Sequence, residues 1–351
     1  MAKNSLTHLL RVFRNIRVAP FGELRFLQCE ILHQQNLAYP CDKNLSQHPC
    51  CSLWRVAIFT IIHVIRVCRA VLERCEICKP LLLCYTLCME IRDPQFDGGR
   101  PFDFGKTSAD YAKFRDIYPD EFYKKLTGLN LGTENQTVLD LGTGTGVLPR
   151  NMYRYGAKWT GADISQNQIE YAKKLSVEKG MNIRYVCSSA EDLDFPPETF
   201  DVVTACQCFG YFDKKKVLPK IHELLKTGGH FAVLFMAWLP KEDKIAAKTE
   251  ELVLKYNPHW TGANMTRYPV NEPDWAKGYF TLSHAEAFDI PVTFTRETWH
   301  GRIRSCRGIG ASSLTPQEIS LWEKEHLEYL KTVPQQFKIL HYATILDLKK
   351  A

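Results

Sequence analysis

The stretch Val138-Leu-Asp-Leu-Gly-Thr-Gly-Thr-Gly146 decides the fold. An apolar strand runs into an acid and then into glycines at every second position. Such a strand delivers the chain to the carboxyl edge of a sheet. The glycines let the backbone turn tightly and present bare amides to a ligand, and a helix begins at about Val147. The dinucleotide fingerprint G-x-G-x-x-G/A fits only in part, because Gly142 and Gly144 match but the last slot falls on Val147 and the third glycine is Gly146. Asp140 precedes the first glycine by two positions, and Asp163 ends a second strand-like run, Lys158-Trp-Thr-Gly-Ala-Asp163. A carboxylate at the end of a second strand accepts from both hydroxyls of a ribose diol.

Three further stretches follow in order. Tyr185-Val-Cys-Ser-Ser-Ala-Glu-Asp-Leu-Asp-Phe195 precedes Thr199-Phe-Asp-Val-Val-Thr-Ala-Cys-Gln207, and Val217-Leu-Pro-Lys-Ile-His-Glu-Leu-Leu-Lys-Thr-Gly-Gly-His230 leads to an apolar run from Phe231 to Ala237. Upstream lie Tyr111, Phe114-Arg115 and Tyr118-Pro119. Together these segments resemble the class I S-adenosylmethionine-dependent methyltransferases of the small-molecule, type 11-like kind. The likeness covers residues 93 to 351, with Thr227 standing where that family's helix exit carries proline.

The resemblance implies a doubly wound, mostly parallel α/β sheet of seven strands in the Rossmann-like methyltransferase arrangement, its last strand antiparallel. It also implies the cofactor S-adenosyl-L-methionine. Gly142, Thr143, Gly144 and Gly146 then lie against the methionyl part, Asp140 orients the loop and the ammonium, and Asp163 holds the ribose while Ile164 packs on adenine. Ala190 and Glu191 border the adenine edge, with Ser189 where the family often has an acid. Cys206 and Gln207 line the methyl-donor side, and Tyr111 and Arg115 close the pocket, Arg115 against the cofactor carboxylate.

Alternating strand and helix patterns place strands near 137–141, 158–163, 183–187, 200–206, 231–238, 291–299 and 338–348. Ser165-x-x-Gln168, Ser283-x-x-Glu286 and Thr315-Pro-Gln-Glu318 read as capping boxes, the last opening a helix over Pro316–Lys331. Gly228-Gly229 reads as a left-handed helix stop. Residues 91–240 form the cofactor-binding core, and 241–351 carry a cap insert and the C-terminal strands on the substrate side. The insert, about Pro240 to His284, holds a helix over Lys241–Tyr256 and then a loop rich in aromatics and prolines, expected to cover the active site.

Charge and cysteine are unevenly spread. Residues 1–90 hold eleven Lys and Arg against six Asp and Glu, so they carry +5 of the net +6. The catalytic part is near neutral, which argues against a phosphate-tracking surface and against a nucleic-acid partner. After the fourth strand stands Cys206-Gln-Cys-Phe, where nucleic-acid methyltransferases carry N-P-P-Y or D-P-P-Y. Nine of the thirteen cysteines precede residue 90. Cys75, Cys78, Cys84 and Cys88 have a middle gap too short for a zinc ribbon, so no metal is expected. The run Val56–Ile65 is too short to span a bilayer. A basic helix over residues 52–72 resting on a membrane is weighed against simple packing, which is favoured. Arg11, Arg14 and Arg17 suggest a transit peptide, but Glu23 and Glu30 follow and Ser is sparse. Residues 1–90 therefore read as a Cys-rich basic extension outside the enzyme, with family-like sequence beginning after Met89, and the enzyme is expected in the cytoplasm.

The acceptor side is sought in Thr298-Trp-His-Gly-Arg-Ile-Arg-Ser-Cys-Arg-Gly308, just after a strand. Trp299, Arg302, Arg304 and Arg307 are candidate substrate contacts, since planar guanidinium forks suit a carboxylate or phosphate. His300 is the candidate general base. The expected activity is methyl transfer to a small-molecule acceptor, an acidic metabolite by this reading. A catalytically silent binding protein and a nicotinamide oxidoreductase are the competing readings.

Overall fold

The computed structural model describes residues 91–351. The features discussed above for residues 1–90 lie outside the described residues.

Seven strands form one sheet. They are β1 Thr137–Leu141, β2 Lys158–Asp163, β3 Arg184–Cys187, β4 Phe200–Cys206, β5 Leu225–Trp238, β6 Phe280–Thr295 and β7 Gln336–Lys350. Their spatial order is β3-β2-β1-β4-β5-β7-β6. The first five pair in parallel, and β7 enters antiparallel between β5 and β6. This is the doubly wound, mostly parallel sheet that the sequence implied. The strand order reverses at β1, with β2 on one side and β4 on the other, so a crevice opens at their carboxyl ends.

Helices cover both faces, which is why the central strands are apolar on both sides. Val138 and Val202 share one core with Phe122, Leu126 and Trp299, while Leu139, Val203 and Ala205 face another with Val217, Leu218 and Ile221. The helices that matter for the site are α1 Ser108–Phe114, α2 Asp120–Gly128, α3 Val147–Met152, α4 Gln166–Glu178, α5 Lys214–Leu224, α6 Lys244–Tyr256, α7 Arg296–Arg304 and α8 Pro316–Leu330.

Three local expectations need correction. Gly228-Gly229 does not stop α5. That helix ends at Leu224, and Leu225 already pairs with Phe200 in the sheet, leaving Gly228 in a bulge of β5 before His230 meets Val202. Both Leu224 and Leu225 are fully buried, so packing sets the boundary. Ser283-x-x-Glu286 caps no helix, because it lies within β6, which pairs with β7 along its whole length. The strand expected at 291–299 stops at Thr295, which caps α7 reciprocally with Thr298 (2.8 Å from Thr295 N to Thr298 Oγ1, 3.1 Å in return).

The other caps formed largely as read. Thr315 and Glu318 make both halves of a box, with Pro316 opening α8. Ser165 caps α4, but Gln168 Nε2 donates to Phe104 O at 2.9 Å instead of back to the cap. Among the described residues no helix is long and apolar enough to cross a membrane, and no group of His, Cys, Asp and Glu is placed to hold a metal ion.

Because β7 is the interior strand that joins β5 to β6, its apolar contacts should be costly to remove. Ile345 is fully buried. Ile345→Ala should lower stability by about 2–5 kcal/mol in denaturant unfolding. A loss under about 1 kcal/mol would contradict this placement of β7.

Candidate active site

The glycine stretch turns at the carboxyl end of β1. Thr143 N donates to Ala162 O and Gly146 N to Thr143 O, both at 2.9 Å, so the loop is pinned to β2 and to itself. Gly144 and Gly146 both adopt left-handed backbone, with φ +57° and +73°. A Cβ on Gly146 would fall 2.3 Å from Tyr185 Oη, so this position demands glycine on two counts.

Asp163 ends β2 and holds the loop from the side. Its Oδ2 accepts from Gly144 N and its Oδ1 from Ser165 N, both at 2.8 Å. Burial raises its pKa above the usual carboxylate value, while those two amides oppose the rise. Each oxygen keeps a further lone pair, which is what a diol needs. Asp140, 2% exposed at the end of β1, accepts from Thr204 Oγ1 at 2.7 Å. Burial pushes it up to about 7.

Beyond β4 the backbone is bent. Gln207 has φ +67°, uncommon for a residue with a side chain, and its amide reaches Met236 O. Cys206 Sγ donates to Tyr118 Oη at 3.4 Å, and burial pushes the thiol up to about 12. Tyr111 and Arg115 close the front, the guanidinium 4.6 Å over the tyrosine ring.

A cavity of about 30 Å³ remains at the centre, lined by Tyr111, Arg115, Asp140, Gly142, Thr143, Cys206, Gln207 and Arg302 among others. That is room for no more than about two waters, so a larger ligand requires side chains such as Tyr111 and Arg115 to move.

The structure thus brings Tyr111, Arg115, Asp140, Gly142, Thr143, Cys206 and Gln207 to one cavity, with Gly144, Gly146 and Asp163 in the adjoining turn. Ile164 and Ala190 follow at the ends of β2 and β3, where Ile164 O accepts from Cys187 Sγ at 3.5 Å and Ala190 is buried. Glu191 Oε1 accepts from Asp213 N at 3.0 Å, and Ser189 Oγ donates to Asp192 at 2.9 Å.

The arginine trio is dispersed. Arg302 lines the cavity. Arg304 bridges Asp110 at 2.5 Å and Glu323 at 2.9 Å, and Arg307 is bonded to Asp97 and Thr261. Their ion pairs hold α7 and the turn after it against α1, α8 and the segment that carries Asp97. Trp299 is fully buried and donates to Thr249 Oγ1 at 2.9 Å, so it is core. His300 is not in the cavity lining. It stacks on Trp322 and shares a 2.9 Å hydrogen bond with His326, and burial lowers it to about 4. The aromatic loop of the insert contributes nothing to the lining either. Trp260 packs by Trp238 and Trp275 against Phe209. Sequence reasoning left Tyr118 and Cys306 off the site, although Tyr118 stood in the quoted opening segment.

Residues 138–229 match a family model described as a methyltransferase domain. A ubiquinone biosynthesis O-methyltransferase of Pseudoalteromonas translucida is 33% identical over 143 residues, 40% of this chain and 59% of that protein. Its counterpart in Serratia proteamaculans is 31% identical over 135 residues, 37% of this chain and 55% of that protein. The chain therefore spans under two thirds of these curated relatives. Among solved structures, the YcgJ protein of Bacillus subtilis superposes with TM-score 0.40 at 18% identity, covering 66% of this chain and 98% of its own. MccD protein gives TM-score 0.42 at 16% identity, covering 66% and 97%. The fold, the glycine turn and the family match define the class. The chain is similar to the class I S-adenosylmethionine-dependent methyltransferases, with the methyltransferase-domain match lying over residues 138–229.

The pair of the buried His326 and the half-buried His300 sets an acid limit on stability. Burial holds His300 near 4 and, with the neighbouring His300 adding to it, His326 near 3, against an ordinary 6.5. The unfolded chain then binds more protons than the folded one below pH 6.5. Stability is expected to fall as pH drops from 6.5 towards 4. In denaturant unfolding at a series of pH values, a His300→Gln, His326→Gln double variant should lose less between neutral and acid than the wild type. Equal losses would contradict the assignment.

Proposed function

We propose that this chain transfers a methyl group from S-adenosyl-L-methionine to a small-molecule acceptor. The observation that carries the proposal is the pair of carboxylates around the glycine turn, the buried Asp140 bonded to Thr204 and the half-buried Asp163 bonded to Gly144 N. The cofactor supplies a methyl group already activated on a sulfonium. The chain's work is then to bind, align and exclude water, and alignment alone is worth about 7–11 kcal/mol in well-oriented reactions.

Asp163 holds the ribose hydroxyls through its unused lone pairs, and the left-handed turn at Gly144 and Gly146 lets the backbone lie against the methionyl part. Asp140 meets the ammonium, and Arg115 the carboxylate of the same amino-acid end. Ile164 and Ala190 give adenine an apolar wall, with Glu191 at its edge. Cys206 and Gln207 face the methyl group. The relatives named as ubiquinone O-methyltransferases support an acceptor that is a small molecule. A near-neutral catalytic part supports the same choice over nucleic acid.

Calorimetric titration tests the reading. Asp140 is held near 7 by burial and must be ionised to pair with an ammonium. Affinity for S-adenosylmethionine should therefore weaken about fivefold from pH 7 to pH 6. Asp140→Asn should bind weakly with a flat profile. A wild-type affinity that ignores pH removes Asp140 from this role. No affinity for S-adenosylmethionine or S-adenosylhomocysteine, or tighter binding of NAD, overturns the proposal.

A further inference from the structure

Two guanidinium groups meet inside the cavity with no carboxylate between them. Arg115, at the end of α1, and Arg302, on α7, both donate to Cys306 Sγ, at 3.4 and 2.7 Å. A thiol sulfur is a weak acceptor and carries no full charge. This one already donates to Arg302 O at 3.1 Å. Arg302 is 6% exposed, its Nε is buried without a partner, and its guanidinium stands 5.0 Å over the Trp238 ring.

Elsewhere this chain pairs its buried arginines with acids. Arg150 faces Asp116 and Arg307 faces Asp97. Among the described residues neither Arg115 nor Arg302 has such an ion pair. Asp140 is the acid in the same lining, and its carboxyl is pushed up to about 7, where a guanidinium neighbour would hold it down. A buried and a half-buried like charge that share one neutral acceptor are costly until anions arrive.

The cofactor brings a single carboxylate, which Arg115 takes in the function proposed above. Arg302 remains. It lies on the β5 side of the cavity, against Trp238 at that strand's end, with β4 between it and the glycine turn over β1. Its Nη1 is committed to Cys306, which leaves the Nε edge of the fork for a planar two-oxygen ligand. We propose that Arg302 binds a carboxylate of the methyl acceptor, so that the substrates of this site are small carboxylic acids. Arg304 and Arg307 take no part, being occupied by Asp110, Glu323 and Asp97.

This inference rests on the methyltransferase reading, and its test separates the two. Thermal unfolding is followed with saturating S-adenosylhomocysteine and a panel of carboxylates, namely citrate, succinate, 4-hydroxybenzoate and 3,4-dihydroxybenzoate. The corresponding amides and phenyl phosphate serve as controls. In the wild type at least one carboxylate should raise the midpoint and its amide should not. Arg302→Met should abolish that response while changing the affinity for S-adenosylhomocysteine less than about twofold, whereas Arg115→Met should weaken that affinity about tenfold or more. Arg302→Lys keeps the charge and loses the fork, and should need about tenfold more carboxylate for the same response. The inference is overturned if no carboxylate shifts the wild type, if only the phosphate does, if the response survives either substitution unchanged, or if Arg302→Met weakens cofactor-product binding as much as Arg115→Met. Failure of the wild type to bind S-adenosylhomocysteine would instead overturn the methyltransferase reading.

Discussion

One carboxylate holds the two halves of the candidate site together. Asp163 accepts from Gly144 N with one oxygen and from Ser165 N with the other, both at 2.8 Å. The first amide belongs to the turn after β1, the second to the turn after β2. A charge-assisted bond to a backbone amide is strong and directional, so this acid fixes the glycine turn relative to the neighbouring strand. Everything else in the crevice is arranged around that fixed point. Thr143 N reaches back to Ala162 O beside it, and the Tyr111 ring lies over Gly144, 3.3 Å from where a Cβ would stand.

Charge is handled differently in the wall and in the centre. In the wall, Arg304 and Arg307 are bolts, each sandwiched between acids or hydroxyls from segments far apart in sequence. In the centre, Asp140 is buried without a cation beside it among the described residues, and Arg302 is buried with its Nε unpaired. Proteins tolerate such groups mainly where a ligand completes them, at a cost in stability. The contrast among three arginines within six residues of one another shows that a basic run in sequence says little about which cation reaches a ligand.

Much of the fold was legible because its signals are local. Val138–Gly146 carries its own strand, turn and helix start, and Ser165 and Thr315 announce helices by hydrogen bonds that span three residues. The glycine-turn side of the candidate site was legible for the same reason, since Asp140, the glycines and Asp163 lie at fixed offsets on adjacent strands. The α7 side of the cavity was not, because Arg302 reaches it only through tertiary packing. Residues 296–299 read as the end of a strand, yet a Thr295–Thr298 cap starts the helix Arg296–Arg304 there. That turn sends Trp299 into the core, His300 against Trp322, and Arg302 alone to the cavity. Likewise Ser283 and Glu286 look like a cap until β7 supplies a partner strand for every position around them.

The position of β7 has a consequence for how the molecule is made. Residues 336–350 lie between β5 and β6, paired to both. During synthesis β5 emerges more than a hundred residues before its neighbour, and β6 some fifty before. Until residues 336–350 leave the ribosome, two long strands wait with open edges, a state prone to pairing with other chains. The sheet closes by threading a strand into an existing gap, so the nascent chain should lean on chaperones until that segment emerges.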